Sequence, residues 1–409
     1  MSTPNEPVKQ SHRFAPFEGL RGLAAVMVVL WHLRWTFWAT STKDMAHSFA
    51  ATMPHFLWRP LLAIIEGLHN GTFAVFLFWI MSAFVLSLQF FRRAHEGTTR
   101  AHDYLEDAFL RRYVRLLVPV FASVVFAYAL HAAHLMRNAD LAHVLGEPYA
   151  SGWLARWYAF SPSLFGALKS AVWDTFFAYD PASTYNNVLW TMEMEFYGSL
   201  FLFAFLGVLG HRRSRFWLYP LIAWASAELG LDWLNAFVAG IALCDLFVNG
   251  GKLSWLQALR HQPFCRLLLN GYVAIVLWLA LFFAVGLPEL SNPAFLALGI
   301  AAVAFTLLSK GTQRFLASAI PLFLGRISFG LYLIHIPIVC SFSCWAYLAT
   351  YARLGHVGAA LLSATATFVL SIAGGYLLYV VADRPGIRLS RVLSARIMNS
   401  PKPKLEAQA

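Results

Sequence analysis

Long apolar runs separated by short polar stretches make up most of this 409-residue sequence. A helix that crosses a membrane needs about 20 mostly apolar residues, and ten runs approach that length. They cover residues 20–40, 71–91, 114–135, 187–209, 216–230, 233–248, 267–286, 293–309, 327–349 and 357–381. The fifth and sixth runs are short, and the turn between them at Leu231–Asp232 is weakly marked. The pattern therefore predicts an all-α, polytopic transmembrane helical bundle of about ten spans.

The segments outside these runs predict a simple domain organisation. Residues 1–16 are polar and lack the apolar core and cleavage site of a signal peptide, so we expect a cytoplasmic tail before an uncleaved first helix. Residues 17–391 form the membrane domain, and residues 392–409 are expected to be a disordered cytoplasmic tail. Within the membrane domain, residues 136–186 are rich in Trp, Tyr and Pro. The aromatic residues around Trp153–Tyr158 suit an amphipathic helix at the membrane interface.

Composition supports a membrane protein and narrows the expected partners. Hydrophobic residues make up 59% of the chain and charged residues only 12%, whereas soluble domains carry roughly 25% charged residues. The lipid bilayer is therefore the first expected partner. Four cysteines lie in or beside apolar segments without the companions of a metal site or disulfide framework: Cys244, Cys265, Cys340 and Cys344. We interpret them as packing residues and expect no metal.

The distribution of basic residues predicts the orientation of the chain. A net charge of +11 would suggest nucleic-acid binding in a soluble protein. With the N-terminus inside, however, 24 of the 31 lysines and arginines lie in cytoplasmic segments, where membrane proteins concentrate them. The other 7 are Arg34, Lys43, Arg59, Arg137, Arg156, Lys169 and Arg353. We therefore predict cytoplasmic termini in a plasma membrane, such as the bacterial inner membrane, and no nucleic-acid partner.

Three ionisable residues fall within the predicted spans at similar depth. His32, Glu195 and His335 lie near the middle of a roughly 30 Å hydrocarbon core when a rise of about 1.5 Å per residue is applied. An ionisable group at that depth is costly unless it is paired or lines a wet cavity, so these residues indicate a functional site. A neutral histidine bonded to a neighbouring helix is one alternative, and the proton relay of a coupled transporter is another.

A group of arginines at the predicted cytoplasmic side suggests a second site. Arg111, Arg112 and Arg115 lie in FLRRYVRLLVP, and Arg21 lies eleven residues before His32, or about 16 Å along a helix. Guanidinium groups bind phosphate oxygens through paired N–H donors, so these four arginines suit a polyanion cradle. The alternative is an ordinary basic loop that contacts lipid headgroups.

Six stretches, taken in order over nearly the whole chain, resemble motifs of the integral-membrane O-acyltransferase family known as acyltransferase-3. They are FEGLRGLAAVMVVLWH, FLFWIMSAFVLS, FLRRYVRLLVP, LWTMEMEFYGSLFLF, LGRISFGLYLIHIP and VADRPGIRLSR. The fourth carries Trp190–Thr191, Glu195 and Gly198–Ser199 and is similar to the subgroup with a Trp-Thr…Glu…Gly-Ser element. Two positions depart from the family pattern, since Ala83 stands where Gly is usual and Asp383 where Glu is commoner.

The resemblance implies transfer of an acyl group, most often acetyl, from cytoplasmic acyl-CoA to a hydroxyl of a surface glycan, a lipid-linked carbohydrate or a small metabolite. Acetyl-CoA would be the co-substrate, and the reaction an O-acetylation of the kind that modifies polysaccharides. Some members also carry a C-terminal SGNH-type transferase domain. This chain stops soon after its last motif, so we expect it to act without that domain or with a separate periplasmic or glycan-assembly partner.

Each predicted site residue has a role in that chemistry. A hydroxyl attacks a thioester poorly until a base takes its proton, which makes His32 the expected base. Glu195 is expected to orient and stabilise the imidazole. His335 and Tyr332 would hydrogen-bond the oxyanion or the acceptor. The expected set is catalytic His32, Glu195 and His335, CoA-binding Arg21, Arg111, Arg112 and Arg115, and substrate-binding Trp190, Ser328 and Tyr332.

Two other functions are alternatives to acyl transfer. A transporter could export an acyl group or a glycan without chemistry, but a carrier of neutral glycans needs no phosphate-binding arginines at a set distance from a histidine. A structural or assembly protein does not account for three ionisable residues at one depth.

Labelling with a membrane-impermeant thiol reagent tests the predicted orientation. A cysteine introduced at Ser151, in the predicted outer segment, should be modified in intact cells, because the reagent reaches only that side. A cysteine at Thr98 should react only after the membrane is opened. The reverse pattern would overturn the cytoplasmic position of the arginines.

Overall fold

The structure, a computed structural model, describes residues 14–38, 54–250 and 271–399 and is almost entirely helical over these ranges. Its α-helices, numbered in chain order, are α1 Ala15–Phe37, α2 His55–Leu68, α3 Gly71–Ala94, α4 Thr98–Ala132, α5 Asn138–Leu145, α6 Trp153–Arg156, α7 Leu164–Lys169, α8 Thr175–Phe177, α9 Trp190–Leu209, α10 Arg215–Glu228, α11 Asp232–Asn249, α12 Gly271–Val285, α13 Asn292–Leu308, α14 Lys310–Leu316, α15 Ala319–Ile338, α16 Cys344–Leu378 and α17 Arg384–Met398. No β-strand occurs among the described residues, and the predicted all-α class is confirmed.

The helices are long and apolar enough for a multi-pass integral membrane protein. Six described helical stretches could each cross a membrane, or seven if α13 and α14, which meet at 94°, form one span. One of the six, Ala319–Met398, is 80 residues long, whereas a single crossing needs about 20. Within it, Gly355 has a φ of +64° and breaks the helical path of α16.

Several boundaries differ from the predicted spans. α4 begins at Thr98 instead of residue 114, so Arg111, Arg112 and Arg115 lie inside a helix of 35 residues. α2 is an additional helix that the sequence analysis did not predict. α17 continues to Met398, so residues 392–398 are helical rather than a disordered tail. The rest of that tail and residues 1–13 lie outside the described residues. The charged turns of α4 and α17 were not predicted to be helical, because a search for apolar runs excludes amphipathic helix ends.

The predicted interfacial segment folds towards the first helix. Its amphipathic piece is observed as the single turn α6. The side-chain amide of Asn138 donates to the carbonyl oxygens of Leu154 and Trp157 at 2.7 and 2.8 Å, which ties the segment to α5. The rings of Trp153 and Trp157 then lie with their centroids 6.2 and 6.3 Å from that of His32.

Glycines allow α1 and α15 to pack with their backbones in contact. A Cβ added at Gly22 would lie 2.4 Å from the backbone nitrogen of Gly325, and one added at Gly325 would lie 2.0 Å from the carbonyl oxygen of Glu18. No side chain fits at either position without separating the helices. This contact sets α1 against α15 and therefore places His32 against His335.

α3 lies in the centre of the bundle and contacts α1, α4, α9, α11 and α13. Its Ala83, where a glycine is usual in the resembling motif, faces Gly240 of α11. A Cβ added at Gly240 would lie 2.6 Å from the Ala83 methyl carbon. The glycine of α11 thus provides the space that the alanine of α3 occupies.

Candidate functional site

Two histidines from α1 and α15 form a hydrogen-bonded pair. Nε2 of His335 lies 3.2 Å from Nδ1 of His32, and Nδ1 of His335 lies 2.7 Å from the carbonyl oxygen of Tyr332. A carbonyl only accepts, so Nδ1 of His335 carries the hydrogen and its Nε2 accepts from His32. Nδ1 of His32 also lies 2.9 Å from the carbonyl oxygen of Val28. Both contacts assign the hydrogen of His32 to Nδ1 and leave its Nε2 with a lone pair, as a base requires.

His32 lines a cavity of about 290 Å³ that we call the histidine cavity. Four tryptophans, from α1, α3, α9 and α11, contribute to its wall: Trp31, Trp79, Trp190 and Trp233. Asp232 and Asn292 also line it, and their side chains are joined by a 2.9 Å hydrogen bond from Nδ2 to Oδ2. The wall is thus mainly aromatic, with a few hydrogen-bonding groups.

A second cavity of about 350 Å³ is rich in positive charge, and we call it the arginine cavity. Its lining includes the four predicted arginines and one more: Arg21, Arg111, Arg112, Arg115 and Arg391. Against these five it includes two acidic residues, Glu18 and Glu195. Arg391 comes from α17, which packs along α4. Arg391 was not among the predicted site residues, because it follows the last apolar run, although it ends the sixth resembling motif.

Carboxylates and hydroxyls orient three of the arginines. Nη2 of Arg111 lies 2.9 Å from Oδ2 of Asp107, one turn earlier on α4. Nη1 of Arg115 donates to Oδ1 of Asp383 at 3.2 Å, so the acidic residue of the last motif is its partner. Nη2 of Arg21 lies 3.5 Å from Oγ of Ser328. Ser328, predicted to bind substrate, therefore lines the arginine cavity.

Glu195 does not contact His32, and the predicted carboxylate–histidine pair is wrong. Among the hydrogen bonds of the described residues, its carboxylate accepts from Nη2 of Arg112 and from the Ser82 hydroxyl. Nε of Arg112 also donates to Oγ of Ser199 at 2.7 Å, the serine of the Gly-Ser element. The rotation of α9 about its axis directs the Glu195 side chain into the arginine cavity. His335 takes the predicted place of Glu195 beside His32.

His335 lies behind His32 rather than in the site. Its side chain is fully buried and lines neither of the two cavities. Its contact with the histidine cavity runs through His32, since its Nε2 lies 3.2 Å from Nδ1 of that residue. Trp190 lines the histidine cavity, as a substrate-binding residue would.

The two cavities adjoin, and three side chains line both of them: Val75, Trp79 and Tyr332. The Tyr332 hydroxyl donates to the carbonyl oxygen of Val188 at 2.9 Å and lies 2.8 Å from the Thr191 hydroxyl. These three side chains separate the arginines from His32.

Comparison with known proteins supports the resemblance seen in the motifs. A family model described as an acyltransferase domain, of the acyltransferase-3 type, matches residues 15–380. A curated relative, the O-acetyltransferase PaAT-1 of Phomopsis amygdali, is 23% identical over 387 residues, covering 81% of this chain and 73% of the relative. No solved structure matches the chain.

The pairing of Arg112 with Glu195 predicts a stability effect. The two side chains are only 10% and 13% exposed, so Arg112→Ala would leave a buried carboxylate without its cation. Removing one partner of a buried ion pair costs about 3–5 kcal/mol. We expect a clear fall in the unfolding temperature of the detergent-solubilised protein, whereas Arg388→Ala, at an exposed arginine of α17, should leave it unchanged.

The double variant Arg112→Gln/Glu195→Gln separates charge burial from the loss of contacts. It removes both charges while retaining side chains that can bond to each other, so it should be more stable than Arg112→Ala. If it unfolds at the same temperature as Arg112→Ala, the ion pair is not what stabilises this region.

Proposed function

The chain belongs to the acyltransferase-3 family, and we propose that this O-acyltransferase transfers an acyl group, most often acetyl, from cytoplasmic acyl-CoA to a hydroxyl of a carbohydrate or related acceptor. The observation that carries the proposal is the pair of adjoining cavities, one lined by five arginines and the other by His32, whose Nδ1 contacts Val28 and His335. The predicted orientation, in a plasma membrane, puts the arginine cavity on the cytoplasmic side, where acyl-CoA is available.

The arginine cavity supports a CoA donor. CoA carries its phosphates at one end and its thioester at the end of a long flexible arm. With Asp107 and Asp383, which contact Arg111 and Arg115, five arginines stand against four carboxylates, so the cavity keeps a small excess of positive charge. Guanidinium groups bond phosphate oxygens in pairs. Arg21 and His32 lie on the same helix about 16 Å apart, so a ligand held by its phosphates must be extended to reach the base.

The histidine cavity supports a sugar as acceptor. Tryptophan rings provide broad apolar faces, against which the C–H faces of a sugar ring can pack. The side chains of Asp232 and Asn292 provide acceptors and a donor for sugar hydroxyls. Aromatic walls with a few placed polar groups are typical of small-molecule sites.

The proposed reaction needs one base and proceeds without a metal. Nε2 of His32 takes the proton of the acceptor hydroxyl while the oxygen attacks the thioester carbonyl carbon, forming the C–O bond. The C–S bond then breaks, CoA leaves as its thiolate, and the proton on His32 passes to the sulfur. The products are the O-acyl ester and CoA. Nδ1 of His32 keeps its hydrogen throughout, and His335 orients the ring by accepting from it.

A transporter without chemistry remains the alternative function. Two cavities separated by a partition would also serve a carrier. The arginine cavity favours chemistry, because a carrier of neutral glycans needs no phosphate-binding arginines at a set distance from a histidine.

Arg391 gives the donor proposal a matched pair of variants on one helix. Arg391→Ala removes a guanidinium from the arginine cavity, and a charge-assisted hydrogen bond contributes about 1.5–3 kcal/mol. We therefore expect the KM for acetyl-CoA to rise roughly tenfold or more, with kcat less affected. Arg388→Ala changes a neighbouring exposed arginine that does not line the cavity, and its KM should stay at the wild-type value. If the two variants have the same KM for acetyl-CoA, the arginines do not bind the donor, and contact with lipid headgroups explains them better.

His32 provides the test of the catalytic function. Purified protein should convert acetyl-CoA to free CoA and acetylate a cell-envelope glycan extract. His32→Gln keeps a hydrogen-bonding side chain but cannot accept the proton, so it should lower the rate by about 10²–10⁴-fold. Acetyl-CoA binding should survive, because the arginines lie about three turns away.

Two outcomes would contradict this assignment. Turnover by well-folded His32→Gln near the wild-type rate would remove His32 from the chemistry. Movement of acetylated glycan across vesicles without any new ester would support the transporter.

A further inference from the structure

Three buried side chains border both cavities. Val75, Trp79 and Tyr332 line both cavities, and their exposed fractions are only 8%, 5% and 6%. Because both cavities share these three side chains, the shortest route from the arginines to His32 runs past them.

Neighbouring residues hold each side of the partition. Tyr332 is bonded through its hydroxyl to the carbonyl oxygen of Val188 and lies beside the Thr191 hydroxyl. Trp79 packs edge-to-face against Trp190, with ring centroids 5.9 Å apart. Val75, one helical turn before Trp79 on α3, is β-branched and therefore has little rotamer freedom. Rotation of the Val75 side chain therefore makes little extra room between the two cavities.

We propose that Val75, Trp79 and Tyr332 form a neck in which the acyl end of the donor meets the acceptor, and that the width of this neck restricts the enzyme to short acyl chains. The inference rests on the proposed function. In the neck, the acceptor oxygen approaches the thioester carbonyl carbon from the histidine cavity. The C–O bond forms and the C–S bond breaks. The thiolate of CoA takes the proton from His32, and CoA then leaves on the arginine side.

The preference for short chains follows from packing. An acetyl group adds one methyl beyond the carbonyl carbon, whereas each further methylene must displace side chains that are already close-packed. A misfit of one methylene typically changes kcat/KM by about 10- to 200-fold. Because Val75 is the smallest of the three side chains, its size should set the tolerance for a second or third carbon.

The experiment compares acetyl-, propionyl- and butyryl-CoA as donors, with free CoA as the readout and cell-envelope glycans as the acceptor probe. Wild-type kcat/KM should fall about tenfold or more per added methylene. Val75→Ala removes two methyl groups from the neck and should raise the butyryl-to-acetyl ratio of kcat/KM about tenfold. Trp79→Phe should shift the ratio in the same direction. Val124→Ala, the same change at a fully buried residue of α4 that lines neither cavity, should leave the ratio at the wild-type value.

A variant in the opposite direction separates the neck from donor binding. Val75→Phe should lower kcat for every donor, because it fills the passage, while equilibrium binding of acetyl-CoA at the arginines stays near the wild-type value. Loss of acetyl-CoA binding in this variant would count against a neck. An unchanged chain-length ratio in both Val75→Ala and Trp79→Phe, with acetyl transfer intact, would overturn the neck and leave the proposed function standing. Failure of the wild-type protein to use any acyl-CoA would overturn the proposed function itself.

Discussion

Arg112 and Glu195 lie opposite each other inside the bundle, where neither charge would be stable alone. Taking an ion out of water costs several kcal/mol even after the surroundings relax, and a close partner with further hydrogen bonds offsets that cost. Ser82 and Ser199 supply those bonds. The pair joins α4 to α9, and Ser82 brings in α3. The position of the arginine cavity within the bundle depends on this interaction, because it orients α4, which carries three of the five arginines.

The two halves of the site use different physical means to hold polar groups in an apolar surrounding. The arginine cavity pairs cations with carboxylates from α4, α9 and the turn before α17, and retains an excess of positive charge. The histidine cavity has no such ion pair among its described lining residues. It holds His32 through neutral hydrogen bonds to Val28 and His335. That separation keeps the base away from the guanidinium groups, whose positive charge would oppose its protonation by the acceptor hydroxyl.

Close helix packing connects the fold to the chemistry. The contact between Gly22 and Gly325 brings α1 and α15 together with no side chain between them, and the histidine pair lies about three turns further along α1. A hydrogen bond between two imidazoles tolerates little change in helix separation. Small residues at the α1–α15 contact therefore serve the site as much as the stability of the bundle, as expected where helices pack within lipid.

The sequence by itself determined the properties that depend on local spacing. Hydropathy predicted the helices, and the distance from Arg21 to His32 follows from the rise of a single helix. Tertiary structure alone decided which residues meet across helices. Glu195 pairs with Arg112 and not with His32, His335 lies behind His32, and Arg391 reaches the arginine cavity from the end of the chain. The reason is rotational: α9 is apolar on nearly every side, so its hydrophobic pattern does not give the direction in which the side chain of Glu195 points.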